Sequence, residues 1–208
     1  MLIVDKVTPQ IILLSDSNKE NLAPYFARFQ EHYESPEFRN KIFTLGQLRQ
    51  YYSEKNGAST YNVDWVGYNF PSFVIDPFIK GLFDPLTEHE KEIVNLFRYR
   101  TDKFYIIGTN DTSAIDHEIC HALFYVDDDY KQQVTKQIDK VRKTKEVKAF
   151  LSQLAVDYNE SVLDDELHAY HTEKHPHDQF NGASLHMPLR LALTKIKSKF
   201  YKKHGIEA

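Results

Sequence analysis

The 208-residue chain has one cysteine, Cys120, so no disulfide can form within it. That excludes a small secreted scaffold stapled by cross-links. It has no long apolar run: the stretch Ile11 to Leu14 is too short for a signal peptide or a membrane span. No basic excess is present either. The formal net charge is -4, which argues against a nucleic-acid-binding face. Repeats, low-complexity tracts and obvious linkers are missing as well. These absences point to a soluble protein with a cytoplasmic location, although leaderless secretion would leave no mark in the sequence.

What is present suits a packed core. Hydrophobic residues make up 41% and charged residues 27% of the chain, an ordinary globular balance. With only two methionines, the 13 tyrosines and 14 phenylalanines are the natural core fillers. Lining a cleft is the other use for them.

The pattern along the chain predicts an α+β fold. Leu2-Ile3-Val4 and Ile11 to Leu14 read as short strands on either side of Pro9. A helix is expected from Lys19 to Tyr33, and Ser35-Pro36-Glu37 reads as a fresh helix start. The next helix, Thr44 to Lys55, is stopped by Asn56-Gly57. Ala58 to Ile75 looks extended, as core or as an edge strand walling a cleft. Thr87 caps a helix reaching Tyr99, with Glu90 in the capping-box position. Phe104 to Ile107 is a strand, and Gly108 to Asp111 its turn. Helices are expected over Thr112–Val126, Tyr130–Val141, Lys145–Tyr158, Val162–Lys174 and Pro188–Lys203. The whole reads as one domain, with a mixed part over 1–111 and a helical part over 112–208.

The chemistry concentrates in His117-Glu118-Ile119-Cys120-His121. Histidines four apart on a helix project from one face, one turn apart, and can share a tetrahedral Zn²⁺. Glu118 is offset by about 100° around the axis. That is close enough to take a proton from a water at the metal without ligating it. Ile115, Ile119, Ala122 and Val126 form a separate apolar stripe, so the helix can bury one face while His117, His121 and Tyr125 share another.

The stretch from Phe104 to Tyr125 resembles the strand-then-helix core of the zincin metallopeptidases, whose His-Glu-x-x-His motif is met by His117, Glu118 and His121. The resemblance covers a minority of the chain. It implies two zinc ligands in the histidines, a general base in Glu118 and a peptide or protein substrate. A third ligand has to come from elsewhere. In the metzincin arrangement it is Asp127, but Phe124 then stands where glycine is needed. In the gluzincin arrangement it is a glutamate on a later helix. Glu160 lies in a thermolysin-like Asn159-Glu160-Ser161-Val162-Leu163-Asp164 stretch, with bulky Leu163 at the small-residue position. Glu166 fits the Glu-x-x-Ala pattern through Ala169 and ranks first. Tyr170 stands where an aspartate often supports the first histidine, leaving Asp164 or Asp165 for that task.

His168, His171, His175 and His177 read as exposed histidines near a helix end, with a second metal site through His171 and His175 as the rarer alternative. One of these four, or His186, Tyr125 or Tyr170, is a candidate for stabilising an oxyanion. Cys120 reads as a small buried packing residue. The C-terminal helix reads as docked through Ile196 and Phe200, with a solvated lysine face and neither membrane nor nucleic-acid contact. The expected function is a zinc-dependent metallopeptidase. The alternatives are a zincin-like binding module without peptidase activity, and a helical interaction domain in which the motif is accidental. Oligomeric state is not readable.

Overall fold

The computed structural model describes residues 2–16, 22–57, 61, 65, 67–173 and 186–207. The fold is α+β, a four-stranded mixed sheet with helices followed by a mostly helical second part. Strands β1 (Ile3–Thr8) and β2 (Ile11–Ser15) form an antiparallel hairpin across Pro9. Helix α1 spans Ala23–Glu34 and α2 spans Leu45–Asn56. Strand β3 (Gly67–Pro71) runs into a 3₁₀ turn, Ser72–Ile75, and the short helix α3, Asp76–Ile79. Helix α4 (Glu88–Phe97) leads to β4, Tyr105–Thr109. Then come α5 (Thr112–Val126), α6 (Asp128–Val141), α7 (Lys145–Leu154), a 3₁₀ turn at Glu160–Val162, α8 (Leu163–Thr172) and α9 (Met187–His204). No helix among the described residues is long and apolar enough to cross a membrane.

Local chemistry sets most of these boundaries. Thr44 and Thr87 each close a capping box, with Gln47 and Glu90, and Gly57 ends α2 in the left-handed region at φ 75°. Three expectations are corrected. Residues 36–40 form turns rather than a helix. Asn40 takes a left-handed φ of 57° there, and its N–H donates to the His32 carbonyl, folding the chain back. Helix α7 stops at Leu154, whose carbonyl accepts the N–H groups of Asp157 and Tyr158 in a turn. The next helix begins at Leu163, one residue after a 3₁₀ turn, and ends at Thr172. Residues 17–21 and 174, at the ends of two expected helices, lie outside the described residues, as does most of 58–66.

Strand order is β1-β2-β4-β3, with β2 parallel and β3 antiparallel to β4. The period-2 alternation divides the core. Ile12, Leu14, Phe70 and Ile106 face a cluster built with α1, whereas Ile11, Tyr105 and Ile107 face one built with α5 and the later helices. Most phenylalanines and tyrosines are spent in these two clusters. Gly108 is required by the first: a Cβ there would lie 2.3 Å from the Phe26 ring.

Helix α9 braces α5 at both ends. Lys197 pairs with Asp116 and donates to the Thr172 carbonyl at 3.1 Å, and the Tyr201 hydroxyl donates to Asp116 Oδ1 at 2.8 Å. Lys197 is buried, so the lysine face is only partly solvated, as expected for Lys195 and Lys199. At the other end Asp127 caps α6 through the Tyr130 N–H at 3.0 Å and accepts from Lys203 Nζ at 2.6 Å and His204 Nε2 at 2.8 Å.

Those contacts outweigh burial and hold the Asp127 carboxyl down at about 2. Replacing Asp127 by alanine is expected to lower the unfolding free energy by about 1–2 kcal/mol, read from the shift of the urea midpoint. The native pKa is depressed, so this stabilisation is complete above the ordinary value of 3.8 and is lost as pH falls through about 2. The gap between wild type and variant therefore closes across that window.

Candidate metal centre

Asp111 starts α5 by accepting the Ser113 N–H at 2.9 Å. One turn on, His117 and His121 emerge on the same face with their Nε2 atoms 3.0 Å apart. Both rings are held from behind by carboxylates. His117 Nδ1 lies 2.6 Å from Glu173 Oε1, and His121 Nδ1 lies 3.0 Å from Asp165 Oδ1. Glu173 accepts from His117 Nδ1, and the close Asp165 carboxylate favours a proton on His121 Nδ1. With both rings neutral the Nε2 lone pairs therefore face one another, and with one more proton the two Nε2 atoms share a hydrogen bond. Burial opposes the charged imidazolium of His121, but the Asp165 carboxylate more than offsets it and raises the ring to about 9. His117 is raised as well, Glu173 outweighing burial.

Glu166 arrives from α8, which packs across α5 with Ala122 and Ala169 both fully buried. Its Oε2 lies 3.7 Å from His121 Nε2. That oxygen is buried yet accepts no hydrogen bond. Burial, countered in part by His117 and reinforced by Asp165, holds the Glu166 carboxyl well above the ordinary range. One ligand atom from each of His117, His121 and Glu166 lies within 4.8 Å of the others. Ligands about 2.1 Å from a tetrahedral zinc stand about 3.4 Å from one another, so this group can hold such a metal ion. The orphaned Glu166 oxygen and the opposed Nε2 atoms are what a cation between them would satisfy.

The other third-ligand candidates are elsewhere. Glu160 is exposed in its 3₁₀ turn, and Asp127 is occupied as a cap and ion pair. Asp164 pairs with Arg142 at 2.5 Å. The partner of His117 is Glu173, which the sequence reading did not pick out. The signal was there: Glu166, Tyr170 and Glu173 are spaced i, i+4 and i+7, one helical face.

Glu118 is buried, and its Oε2 accepts from Asn69 Nδ2 at 2.8 Å. Asn69 Oδ1 in turn accepts from the Tyr105 hydroxyl at 2.5 Å. Gly67, two residues earlier on β3, leaves room for the carboxyl group, because a Cβ there would lie 2.2 Å from Glu118 Oε1. The strand is thus both core and cleft wall: Tyr68 and Phe70 pack inward while Gly67 and Asn69 line the cleft. It stands at the sheet edge, but the Asn69 N–H is taken by Gln30 Oε1 at 3.3 Å.

The cleft holds about 190 Å³ and is also lined by Glu34, Trp65, Tyr158 and Tyr170. The two tyrosine hydroxyls are 3.2 Å apart. Burial and the Glu166 carboxylate raise both phenols, which keeps them protonated donors. Of the expected oxyanion candidates, Tyr170 reaches the cleft. Tyr125 instead approaches Ser72 Oγ at 3.3 Å, and His186 caps α9 by accepting the Leu189 N–H. His168 and His171 are buried, not exposed. His168 contacts the Tyr130 hydroxyl, and His171 accepts from the His186 N–H, with burial lowering the His171 ring to about 4. His175 and His177 lie outside the described residues. Cys120 is buried against Thr172, as expected.

One equivalent of a bound divalent metal ion is expected on the purified chain by elemental analysis. Alanine at His117, His121 or Glu166 should remove it, while Glu160→Gln and Asp127→Asn keep it. Glu173→Gln should weaken zinc affinity by about 10–100-fold without abolishing it, measured by competition with a chromogenic chelator.

No family model matches this chain, and comparisons with curated proteins and with solved structures found no match.

Proposed function

We propose that the chain is a zinc-dependent hydrolase of the metallopeptidase type. The observation that carries this reading is the placement of Glu118. Its carboxylate sits beside the His117, His121 and Glu166 group in one cleft, held by Asn69 rather than by a cation. A two-histidine, one-carboxylate set is a zinc donor set with a coordination position to spare. Zinc bound there would polarise a carbonyl and bring the pKa of a water to about 7.

The chain's own residues supply the rest. Glu118 accepts a proton from the attacking water as the water oxygen bonds to the carbonyl carbon. The carbon–nitrogen bond then breaks, and Glu118 returns that proton to the departing amine. Asn69 keeps the carboxylate aimed at the cleft, and Gly67 gives it space. Tyr158 and Tyr170 are phenolic donors lining the same cleft, suited to the negative charge that develops on the carbonyl oxygen. Asp165 and Glu173 fix the ring orientations of the two histidines. Peptide or protein is the substrate class that the motif suggests.

Glu118→Gln is expected to retain one equivalent of zinc and to lose at least about 100-fold in turnover, assayed by mass spectrometry of a peptide-library digest with and without chelator. A glutamine variant as active as wild type would sink the role of Glu118. A wild type that holds zinc yet cleaves nothing would leave a metal-binding module instead. Gly67→Val is expected to displace the Glu118 carboxyl and to lower turnover with zinc still bound.

A further inference from the structure

One buried acid faces the cleft without belonging to the metal group or its supports. Glu34 closes α1 and is 5% exposed; its backbone carbonyl accepts the Asn159 N–H at 2.7 Å, but its carboxyl group makes no hydrogen bond or ion pair with another described residue. Burying a carboxyl group without a partner costs stability. It persists where a ligand supplies the partner.

The charge balance of the cleft says what kind of partner. Five carboxyl groups line it among the described residues, those of Glu34, Asp111, Glu118, Glu166 and Glu173, with two imidazoles and no lysine or arginine. A divalent ion at the triad leaves negative charge in excess. Arg39, on the turn after α1, stacks over Tyr33 at 4.9 Å and is not part of the lining. Space narrows the choice further. At about 190 Å³ the cavity is smaller than the roughly 300 Å³ at which ligand pockets usually begin. Gln30 also occupies the edge of β3 beside Glu34. This end of the cleft therefore takes one compact group rather than a continuing chain.

We propose that Glu34 selects substrates bearing a cationic group, an ammonium or a guanidinium, next to the bond that is cleaved. The inference rests on the hydrolase reading above. The group has two sources: the free terminal amine of a peptide, or a lysine or arginine side chain near the cleaved bond. Glu34 is a specificity residue in either case, since it holds the substrate and not the metal.

The test uses the zinc-loaded full chain and Glu34→Gln, with Glu34→Asp as a second variant. The probes are alanine-based peptides with a free amine, the same peptides acetylated, and acetylated peptides carrying one lysine or arginine at successive positions. Wild type is expected to prefer one charged class over the neutral one by about tenfold or more in kcat/KM, the scale of a charged hydrogen bond. Glu34→Gln should lose that preference while keeping its zinc and a thermal midpoint no lower than that of wild type. Glu34→Asp should keep the preference in weakened form. A free-amine preference identifies the terminal ammonium, and a lysine or arginine preference the side chain. An unchanged preference in Glu34→Gln overturns the inference and leaves the hydrolase reading standing. Loss of zinc in that variant also overturns it, by making Glu34 part of the metal group. If no peptide is cleaved, the hydrolase reading fails, and calorimetric binding of the same peptides still decides. Charge-dependent binding lost in Glu34→Gln supports the role, and equal binding to both proteins refutes it.

Discussion

Two imidazole nitrogens 3.0 Å apart, each ring fixed by a carboxylate behind it, are the constraint around which the cleft is arranged. Two neutral rings set lone pair against lone pair, and two protonated rings set charge against charge. A proton shared between the two Nε2 atoms relieves both conflicts, and so does a cation. The neighbouring elements are placed accordingly. Helix α8 brings Glu166 with an unpartnered oxygen, Glu173 follows one turn past Tyr170, and Asp165 reaches the second ring. Alanines at the crossing of α5 and α8 let the carboxylate come within reach, since bulkier side chains would part the two backbones.

The sheet has a second duty besides carrying a core. Along β3, residues pointing one way are aromatic and pack under α1, and those pointing the other way are glycine and asparagine. Glycine opens this strand, a residue with no side chain to pack. Here it marks the place where another residue's functional group has to sit. The Tyr105–Asn69–Glu118 chain of hydrogen bonds then ties the orientation of that group to the buried centre of the sheet, so the geometry beside the metal group is inherited from β4.

Much of the fold was legible because its signals are local. Asp111 and Asp127 bracket α5, Thr87 with Glu90 starts α4, and Asn56-Gly57 ends α2, each through backbone groups a few residues away. The histidine pair and Glu118 were legible for the same reason, since one helical turn relates them. What was hidden depends on contacts between distant segments. The choice of Glu166 over Glu160 had only Ala169 to support it in the sequence, whereas the crossing of α5 and α8 brings Glu166 beside the two histidines and leaves Glu160 exposed. Asn69, Tyr158 and Glu34 carry no motif and come to line the cleft only through the fold. His168 and His171 looked exposed because histidine-rich helix ends usually are. Instead their ring nitrogens find partners inside the helical core.

Helix α9 has a consequence in time as well as in space. Its residues Lys197 and Tyr201 grip Asp116, beside His117, and Lys203 and His204 grip Asp127, just past the end of the same helix. Everything they brace is made earlier in synthesis. Until α9 has been made, the helix bearing both histidines has its local turns but neither of these anchors. The carboxylates behind the two rings, Asp165 and Glu173, come earlier, so it is the placement of the helix itself that waits for α9. A nascent chain can thus carry the whole motif and still lack the rigid centre that would commit it to a metal.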